Sequence, residues 1–482
     1  MKISEIIFKE EYIISLADEN LEFGSIVTEV KRVTSDSLLI IPNSDKLKGE
    51  IAFNIPPVAI ICDKKCILPE NIPIIRVENP RLAVANAYFR FAQISTEKLK
   101  IIGITGTNGK SSTAMFIKKV LAKCGHKVGC IGTGKIEIDD NIISDSHYSM
   151  TTPDPEMLYK TIKQMQDENC DTVVMEVSSH ALALDKVSPL MFDYALFTNF
   201  SSDHIDFHGS VEEYYKSKLK LFNQCKCGIF NIDDEKIRQA YSICNARRLS
   251  AGIIWRGNVW ASNLENHGLD GISYLYHGGS FSFKMNLQLA GTYNVYNSML
   301  AATVCIDMGC KPCEVKKILG EINSLPGRFE IINDRISVII DYAHTHSAFE
   351  NIMKDLAILK GDRQLTVVFG CGGNRDKSKR PKMAFIAEKY ANRIVLTSDN
   401  SRNEDIKNII SDIIHGFSQG KYEVIENRKD AIRASILLAN DGDLVAIIGK
   451  GPEKYNIDKG EYSDFDEKAI VLSTLEERRR MR

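Results

Sequence analysis

No stretch of this 482-residue chain reaches the ~18 consecutive apolar residues that a membrane-crossing helix needs. The start, Met1-Lys-Ile-Ser-Glu-Ile-Ile-Phe-Lys-Glu10, threads charges through its apolar residues, so it reads as neither a secretory signal nor a spanning helix. Charge of one sign is also missing. Lys and Arg number 61 against 63 Asp and Glu, and the net charge of −2 leaves no basic footprint for nucleic acid. Internal repeats, low-complexity tracts and long disordered linkers are absent too. A cytoplasmic protein with neither nucleic acid nor membrane as partner is the expectation.

Twelve cysteines without a secretory signal mean reduced thiols rather than a disulfide framework. The close pairs are Cys62 and Cys66, Cys225 and Cys227, and Cys310 and Cys313, and their spacings do not repeat as two equal zinc knuckles. No structural zinc is expected.

The chain is too long for one core, and roughly 150 residues per domain gives three. Residues 1–97 hold short strand candidates at Val58–Cys62 and Ile72–Val77, then a helix from Pro80 to about Ala92 with proline in its first turn. From 98 to 327 strands and helices alternate, the pattern of a largely parallel sheet covered on both faces. Within it Trp255 to Ser282 reads as an antiparallel excursion. Pro326-Gly327 marks a joint, and over 328–482 the strands Ile336–Ile340, Leu365–Phe369, Arg393–Thr397 and Leu444–Ile448 predict a second open α/β sheet.

Chemistry is concentrated at residues 103 to 113, Gly-Ile-Thr-Gly-Thr-Asn-Gly-Lys-Ser-Ser-Thr, between the apolar pair Ile101-Ile102 and a helical pattern. This is strand, glycine-rich turn and helix start, where free backbone N–H groups cradle phosphate oxygens. Lys110 can reach the outer phosphates and Ser111 can hold magnesium. The full P-loop spacing is not met, since Ile104 stands where the first glycine belongs and Gly103 lies one place earlier. Two further polar segments follow apolar runs: Glu176-Val-Ser-Ser-His180, and Asn199-Phe-Ser-Ser-Asp-His-Ile-Asp-Phe-His208. Ligands of an open parallel sheet sit at the carboxyl edge, so Glu176 and His204 are expected to join Ser111 around the magnesium of a bound nucleotide.

These segments, with Thr151-Thr-Pro-Asp154, Gly291-Thr-Tyr-Asn-Val-Tyr-Asn297, Gly327-Arg-Phe-Glu330, Asp341-Tyr-Ala-His-Thr345, Gly370 to Pro381 and Gly449-Lys-Gly-Pro-Glu453, occur in an order that resembles the Mur ligase superfamily, and within it the MurE branch. The resemblance covers about residues 98 to 456. It implies a three-domain α/β architecture with a central P-loop ATPase-like parallel sheet and a C-terminal Rossmann-like domain. The implied activity is an ATP-dependent ligase that adds meso-diaminopimelate to UDP-N-acetylmuramyl-L-alanyl-D-glutamate through an acyl phosphate, working as a monomer. Residues 1–97 would bind the acceptor, 98–327 ATP, and 328–482 the amino acid.

By the same resemblance, ATP falls to Gly106, Thr107, Asn108, Gly109, Lys110, Ser111, Ser112, Asn294, Asn297, Arg328 and Asp341. The acceptor falls to Thr151, Thr152, Ser178 and Lys186, and the amino acid to Arg375, Asp399, Asn400, Arg402, Gly449 and Glu453. Lys110, Lys218, His204 and Arg328 are the expected catalytic set, and Ser111, Glu176, His204 and Lys218 the magnesium set. In the family a lysine matching Lys218 carries a carbamate. Asp399-Asn-Ser-Arg402 corresponds to the Asp-Asn-Pro-Arg of diaminopimelate-adding members, and a guanidinium fork suits a distal carboxylate.

Some positions depart from the family pattern. Ser401 and His346 stand where prolines are usual, Pro452 where a histidine is usual, Lys186 for an arginine and Leu184 for a glutamine of some members. The stretch Thr28-Glu-Val-Lys-Arg-Val-Thr-Ser-Asp36 lacks the Ser-Arg and Asp-Gly signatures of uridine diphosphate recognition. Two alternatives therefore stay open: a MurE-derived paralogue that joins an amino acid to another carboxylate, and a nucleotide-binding module that has lost catalysis. Retention of Lys110, Glu176, His204, Lys218 and Arg328 speaks against the second.

Overall fold

The computed structural model describes residues 1–8, 11–15, 17–43, 53–69, 71–144 and 150–481. Three larger sheets follow one another along the chain. The first has the strand order Tyr12–Ser15, Ile74–Val77, Ala59–Cys62, Ser37–Ile40, Ser25–Val27, parallel except for the pairing of Tyr12–Ser15. Two of its inner strands, Ser37–Ile40 and Ala59–Cys62, are buried throughout, as strands of a covered parallel sheet should be. The helix Pro80–Phe91 begins where the sequence places it, with Pro80 at its first position and the Asn79 side chain accepting the Leu82 N–H.

Eleven strands form the second sheet. At its centre Phe192–Phe197, Lys100–Thr105 and Thr172–Glu176 lie side by side in parallel, so the loops after all three open at one edge. The expected antiparallel excursion is the meander Val259–Asn266, Ile272–Gly278 and Phe281–Leu287 at one end. A short antiparallel extension, Lys135–Ile138 and Asn141–Ile142, closes the other end and was not legible in the sequence. The helices Lys110–Lys123 and Thr292–Asp307 pack together on this sheet over the core of Ile102, Phe116, Val174 and Leu300.

The third sheet, Glu330–Asn333, Ser337–Asp341, Leu444–Ile448, Leu365–Phe369, Arg393–Leu396 and Glu423–Val424, is parallel apart from its first pair. The loops after Asp341, Phe369, Leu396 and Ile448 share one edge. A hairpin, Tyr455–Asp458 with Glu461–Asp464, follows and lies against Arg402 through a bridge between Arg402 and Asp458. Among the described residues no helix is long and apolar enough to cross a membrane.

Candidate active site

The loops at the carboxyl edges of the second and third sheets enclose one cavity of about 1000 Å³. Its floor is the turn after Thr105. Gly106 has φ 147° and a Cβ there would lie 1.9 Å from the Thr198 hydroxyl oxygen, so the turn passes only as glycine. Asn199 braces the turn from the neighbouring strand, accepting the Asn108 N–H at 2.8 Å and donating to the Asn108 carbonyl at 2.9 Å. Thr198 donates to the same carbonyl at 2.6 Å. The Thr107 and Asn108 N–H groups are thus spent on Asn199, and the bracing holds the shape of the turn.

Two amines meet on it. Lys110 Nζ donates to the carbonyls of Gly106 and Thr107, each at 2.9 Å. Lys218, on the helix Val211–Asn223 and wholly buried, also donates to the Gly106 carbonyl at 2.9 Å, with its Nζ 4.6 Å from the Tyr214 ring centre. Burial pushes the Lys110 amine down, and Arg328 adds to the effect. Lys218 is pushed well down by burial and by Lys110.

Arg328, just past the joint, reaches back 217 residues to donate to Ser111 Oγ at 2.8 Å, with its guanidinium 4.3 Å from the Tyr342 ring centre. Asp341 accepts the N–H groups of Phe329 and Ala343, both at 2.7 Å, and fixes that turn. Glu176 is buried at the end of its strand and accepts from the Thr133 N–H at 3.0 Å and the Thr133 hydroxyl at 3.2 Å. His204 sits in the left-handed region, φ 53°, at the start of the short helix Ile205–His208, a strained placement for a non-glycine residue. Burial, then His180, Lys110 and Lys218, push its pKa down to about 2, so the ring is neutral and able to act as a ligand.

Among the described residues no group of three or more His, Cys, Asp and Glu is gathered to hold a metal unaided. The Ser111 hydroxyl and the Glu176 carboxylate are hard oxygen donors on the same cavity wall. That set suits magnesium, which takes one or two protein oxygens and completes its shell with phosphate oxygens and water.

Along the side wall, Thr151 Oγ1 bonds Thr133 Oγ1 at 3.0 Å, and Thr152 donates to the Glu176 carbonyl at 2.9 Å. Ser178 caps the helix Ser179–Ala183 by accepting the Ala181 N–H. Lys186 is engaged by Asp154 at 2.6 Å.

At the far end Asn400 is held on three sides: its Oδ1 accepts from Lys450 at 2.8 Å and from the Ile457 N–H at 3.0 Å, and its Nδ2 donates to Glu453 at 2.8 Å. Tyr342 donates to the other Glu453 oxygen at 3.0 Å. Burial raises the Glu453 carboxyl, and Asp399 adds to it. For Asp399 burial pulls upward, but Lys450 and Arg428 outweigh it and hold the carboxyl low. Gly449 has φ 131°, and a Cβ there would stand 2.8 Å from Asp399 Oδ2. Arg402, at φ 54°, spends one nitrogen on the carbonyls of Gly373 and Asn400 at 3.1 and 3.2 Å. Arg375 flanks it across Gly372, whose Cβ would lie 2.9 Å from Arg402 Nη1 and 3.8 Å from Arg375 Cγ. Burial and then Arg375 lower the Arg402 pKa, against the opposing pull of Asp399 and Glu453.

The cavity thus gathers the residues expected from the sequence, with one exception. Asn294 does not line it. Its side chain is buried and donates to the Ala290 carbonyl at 2.8 Å, holding the start of the helix Thr292–Asp307, while Asn297 one turn later faces the loop.

The Mur ligase middle domain profile matches residues 104–305, and that of the Mur ligase glutamate ligase domain matches 327–451. The UDP-N-acetylmuramoyl-L-alanyl-D-glutamate–2,6-diaminopimelate ligase 1 of Clostridium acetobutylicum is 36% identical over 491 aligned residues, covering 99% of this chain and 100% of its own. The chain belongs to the Mur ligase family. The corresponding ligase of Caldanaerobacter subterraneus is 37% identical over 95% of this chain and 96% of its own. A solved structure of a UDP-N-acetylmuramoyl-L-alanyl-D-glutamate–2,6-diaminopimelate ligase superposes with a TM-score of 0.66 at 24% identity, covering 99% of both chains. Mycobacterium tuberculosis folylpolyglutamate synthase, solved with ADP and AMPPCP, has the same fold, with a TM-score of 0.65 at 17% identity over 76% of this chain and 92% of its own.

Lys450, Asn199 and Thr198, which support side chains and backbone of this Mur ligase's cavity, are among the residues not singled out from the sequence. Lys450 is fully buried and carries Asn400 and Glu453; the signal was a charged residue inside Gly449-Lys-Gly451 straight after a strand. Asn199 and Thr198 brace the glycine-rich loop. The departures also have local accounts. Ser401 donates to Asp458 at 2.6 Å and so ties the loop to the hairpin, a bond no proline can make. His346 occupies the first position of the helix His346–Lys360, where proline is tolerated but not required. Pro452 packs on the joint, its nitrogen 2.2 Å from where a Gly327 Cβ would be.

Proposed function

We propose that this Mur ligase is an ATP-dependent carbon–nitrogen ligase that joins meso-diaminopimelate to the D-glutamyl carboxylate of UDP-N-acetylmuramyl-L-alanyl-D-glutamate, a step in making peptidoglycan precursors. One observation carries the reading. A phosphate loop with two amines and an arginine occupies one end of a cavity whose other end pairs two guanidiniums with a buried carboxylate. Joining an acid to an amine in water is uphill, so the carboxylate first takes the γ-phosphoryl group of ATP, releasing ADP. The amine then attacks the acyl carbon, loses a proton, and phosphate departs.

Both halves develop negative charge on oxygen, and the chain meets it with Lys110 and Arg328. Arg328 Nε and Asn297 Nδ2 are buried without a hydrogen-bond partner, as expected of donors meant for a ligand. Ser111, Glu176 and His204 are the residues that would hold magnesium, which when bound neutralises charge on the phosphate oxygens. Lys218 is read as the carbamylated lysine: a neutral amine adds carbon dioxide, giving a carbamate anion and a proton, and burial shifts Lys218 toward that form. Thr151, Thr152, Ser178 and Lys186 would receive the acceptor. Arg402 and Arg375 would fork the distal carboxylate of diaminopimelate, with Glu453 taking its ammonium. Division of labour at 97/98 and 327/328 fits the three successive sheets, and a cavity complete within one chain fits a monomer.

The deciding experiment offers the purified protein ATP, magnesium and meso-diaminopimelate, with and without the UDP-N-acetylmuramyl dipeptide. ADP release and tripeptide product should require both substrates. A second reading, ligation to a different carboxylate, is favoured by Lys186 being engaged by Asp154 and by Arg32 being engaged by Glu156 through two bonds of 2.8 Å. Failure of the dipeptide to stimulate ADP release would select it.

A further inference from the structure

The hairpin Tyr455–Asp458 with Glu461–Asp464 has no part in the reading above. It belongs to none of the larger sheets, and its second strand is exposed along its whole length, so a core does not account for it. Among the described residues its one strand pairing outside itself is the bridge between Asp458 and Arg402. Tyr455, Ile457 and Tyr462 of the hairpin line the cavity.

That bridge is one of several ties to residues 400–403. The Ile457 N–H donates to Asn400 Oδ1 and the Arg402 N–H to the Ile457 carbonyl, both at 3.0 Å, and the Lys459 N–H donates to the Arg402 carbonyl. From the other side the Gly373 N–H donates to the Asn400 carbonyl at 2.9 Å and the Asn403 N–H to Asn374 Oδ1 at 3.1 Å. The approach there is so close that a Gly373 Cβ would lie 1.9 Å from the Ser401 carbonyl oxygen. A left-handed Arg402, φ 54°, persists only where its surroundings over-determine it, and these two walls do so.

Ser401 stands where the family pattern has proline. A proline ring would fix φ by itself. Serine leaves φ free, and in place of the ring the buried Ser401 hydroxyl donates to Asp458 Oδ1 at 2.6 Å. Since Arg402 Nη1 is engaged by the carbonyls of Gly373 and Asn400, the aim of the rest of the guanidinium follows from where this backbone is held.

We infer that the hairpin aims the Arg402 fork, and that Asp458, acting through Ser401, is the positioning residue by which it selects a dicarboxylic amine over a monocarboxylic one. This rests on the amino-acid reading above and adds the element that makes Arg402 selective.

The test measures KM and kcat for meso-diaminopimelate, for ATP, and for L-lysine, which has a distal amine without the distal carboxylate, with the urea midpoint of each variant alongside. The parent should prefer meso-diaminopimelate. Ser401→Ala and Asp458→Ala should each raise KM for meso-diaminopimelate about tenfold, with kcat and KM for ATP near parental and the margin over L-lysine narrowed. Asp458→Asn should stay close to the parent, because an amide oxygen accepts the same hydroxyl. In an Arg402→Ala background Ser401→Ala should add nothing, a silence that a merely structural role would not produce. Parental KM for meso-diaminopimelate in both alanine variants, an equal loss for ATP, a lowered urea midpoint with unchanged selectivity, an Asp458→Asn as weak as Asp458→Ala, or an additive loss in the Arg402→Ala background would overturn the inference. A parent that prefers L-lysine or ligates neither amine would instead overturn the amino-acid reading, a failure that shows before any substitution is made.

Discussion

In the proposed reaction Lys110 is the residue on which phosphate handling depends, and Lys218 shares only one of its two carbonyls, that of Gly106. Lys110→Ala should lower kcat for ADP release by about 10²- to 10³-fold, the ~2.7–4 kcal/mol lost with one preorganised donor. Near-parental turnover would place the catalytic phosphate site elsewhere. Arg402 calls for a different readout. Arg402→Ala should raise KM for meso-diaminopimelate about ten- to a hundredfold, the ~1.5–3 kcal/mol of a charge-assisted contact, and leave KM for ATP unmoved. Arg402→Lys should recover only part of this, because an ammonium supplies charge without the planar fork. An alanine variant that discriminates against L-lysine as well as the parent does would refute the assignment. These residues were legible because their chemistry is carried by short fixed spacings. Asn199 was not, since its side chain acts on a loop 91 residues away.

At the scale of elements, the helix Val211–Asn223 brings Lys218 under the loop with Tyr214 and Tyr215 buried beside it. Lys218→Ala should be nearly inactive, and short carboxylates such as formate or acetate should restore part of the rate by refilling the space with an anionic oxygen. An active alanine variant, or an intact-mass measurement that finds no added carbon dioxide on a fully active protein, would remove the carbamate. The turns after the central strands hold two histidines at lowered pKa: burial and His208 bring His180 to about 4, and His204 stands at about 2. Unfolded histidines take up a proton near 6.5, while these stay neutral when folded. Between pH 6.5 and 4 the unfolded chain therefore binds more protons, and stability must fall as pH falls. The urea midpoint should drop from pH 7.5 to 5.0, and His180→Gln should flatten that slope; an unchanged slope would show that His180 does not drive it. Strand positions in the third sheet were legible because fully buried parallel strands read as near-continuous apolar runs, unbroken in Leu444–Ile448 and interrupted only by Thr366 in Leu365–Phe369. The hairpin Tyr455–Asp458 with Glu461–Asp464 was not, because its second strand is exposed along its whole length and shows no apolar face.

For the whole molecule, the joint after Pro326 decides whether the two ends of the cavity meet. Gly327 has φ 63°, and a Cβ there would lie 2.2 Å from the Pro452 nitrogen and 2.3 Å from the Gly451 carbonyl carbon. Gly327→Ala should destabilise the fold by about 1–3 kcal/mol, since both the left-handed backbone and the backbone contact are violated. It should also lower kcat, because Arg328 follows directly and its reach to Ser111 depends on this turn. Parental urea stability would show that the joint tolerates a side chain. The sequence pointed to this joint through its Pro-Gly pair, whereas the partner across it, Pro452, lies 125 positions on and could be known only from the folded chain.

The cysteines have a practical meaning for anyone handling the protein. Of the twelve, Cys313 alone is exposed, Cys124 is half-buried and the others are buried. Thiolates react and buried thiols do not, so a maleimide dye offered briefly to the native protein should settle on one position. Slower labelling of the rest would then be a clock for the opening of each layer, read by mass spectrometry without altering a single residue.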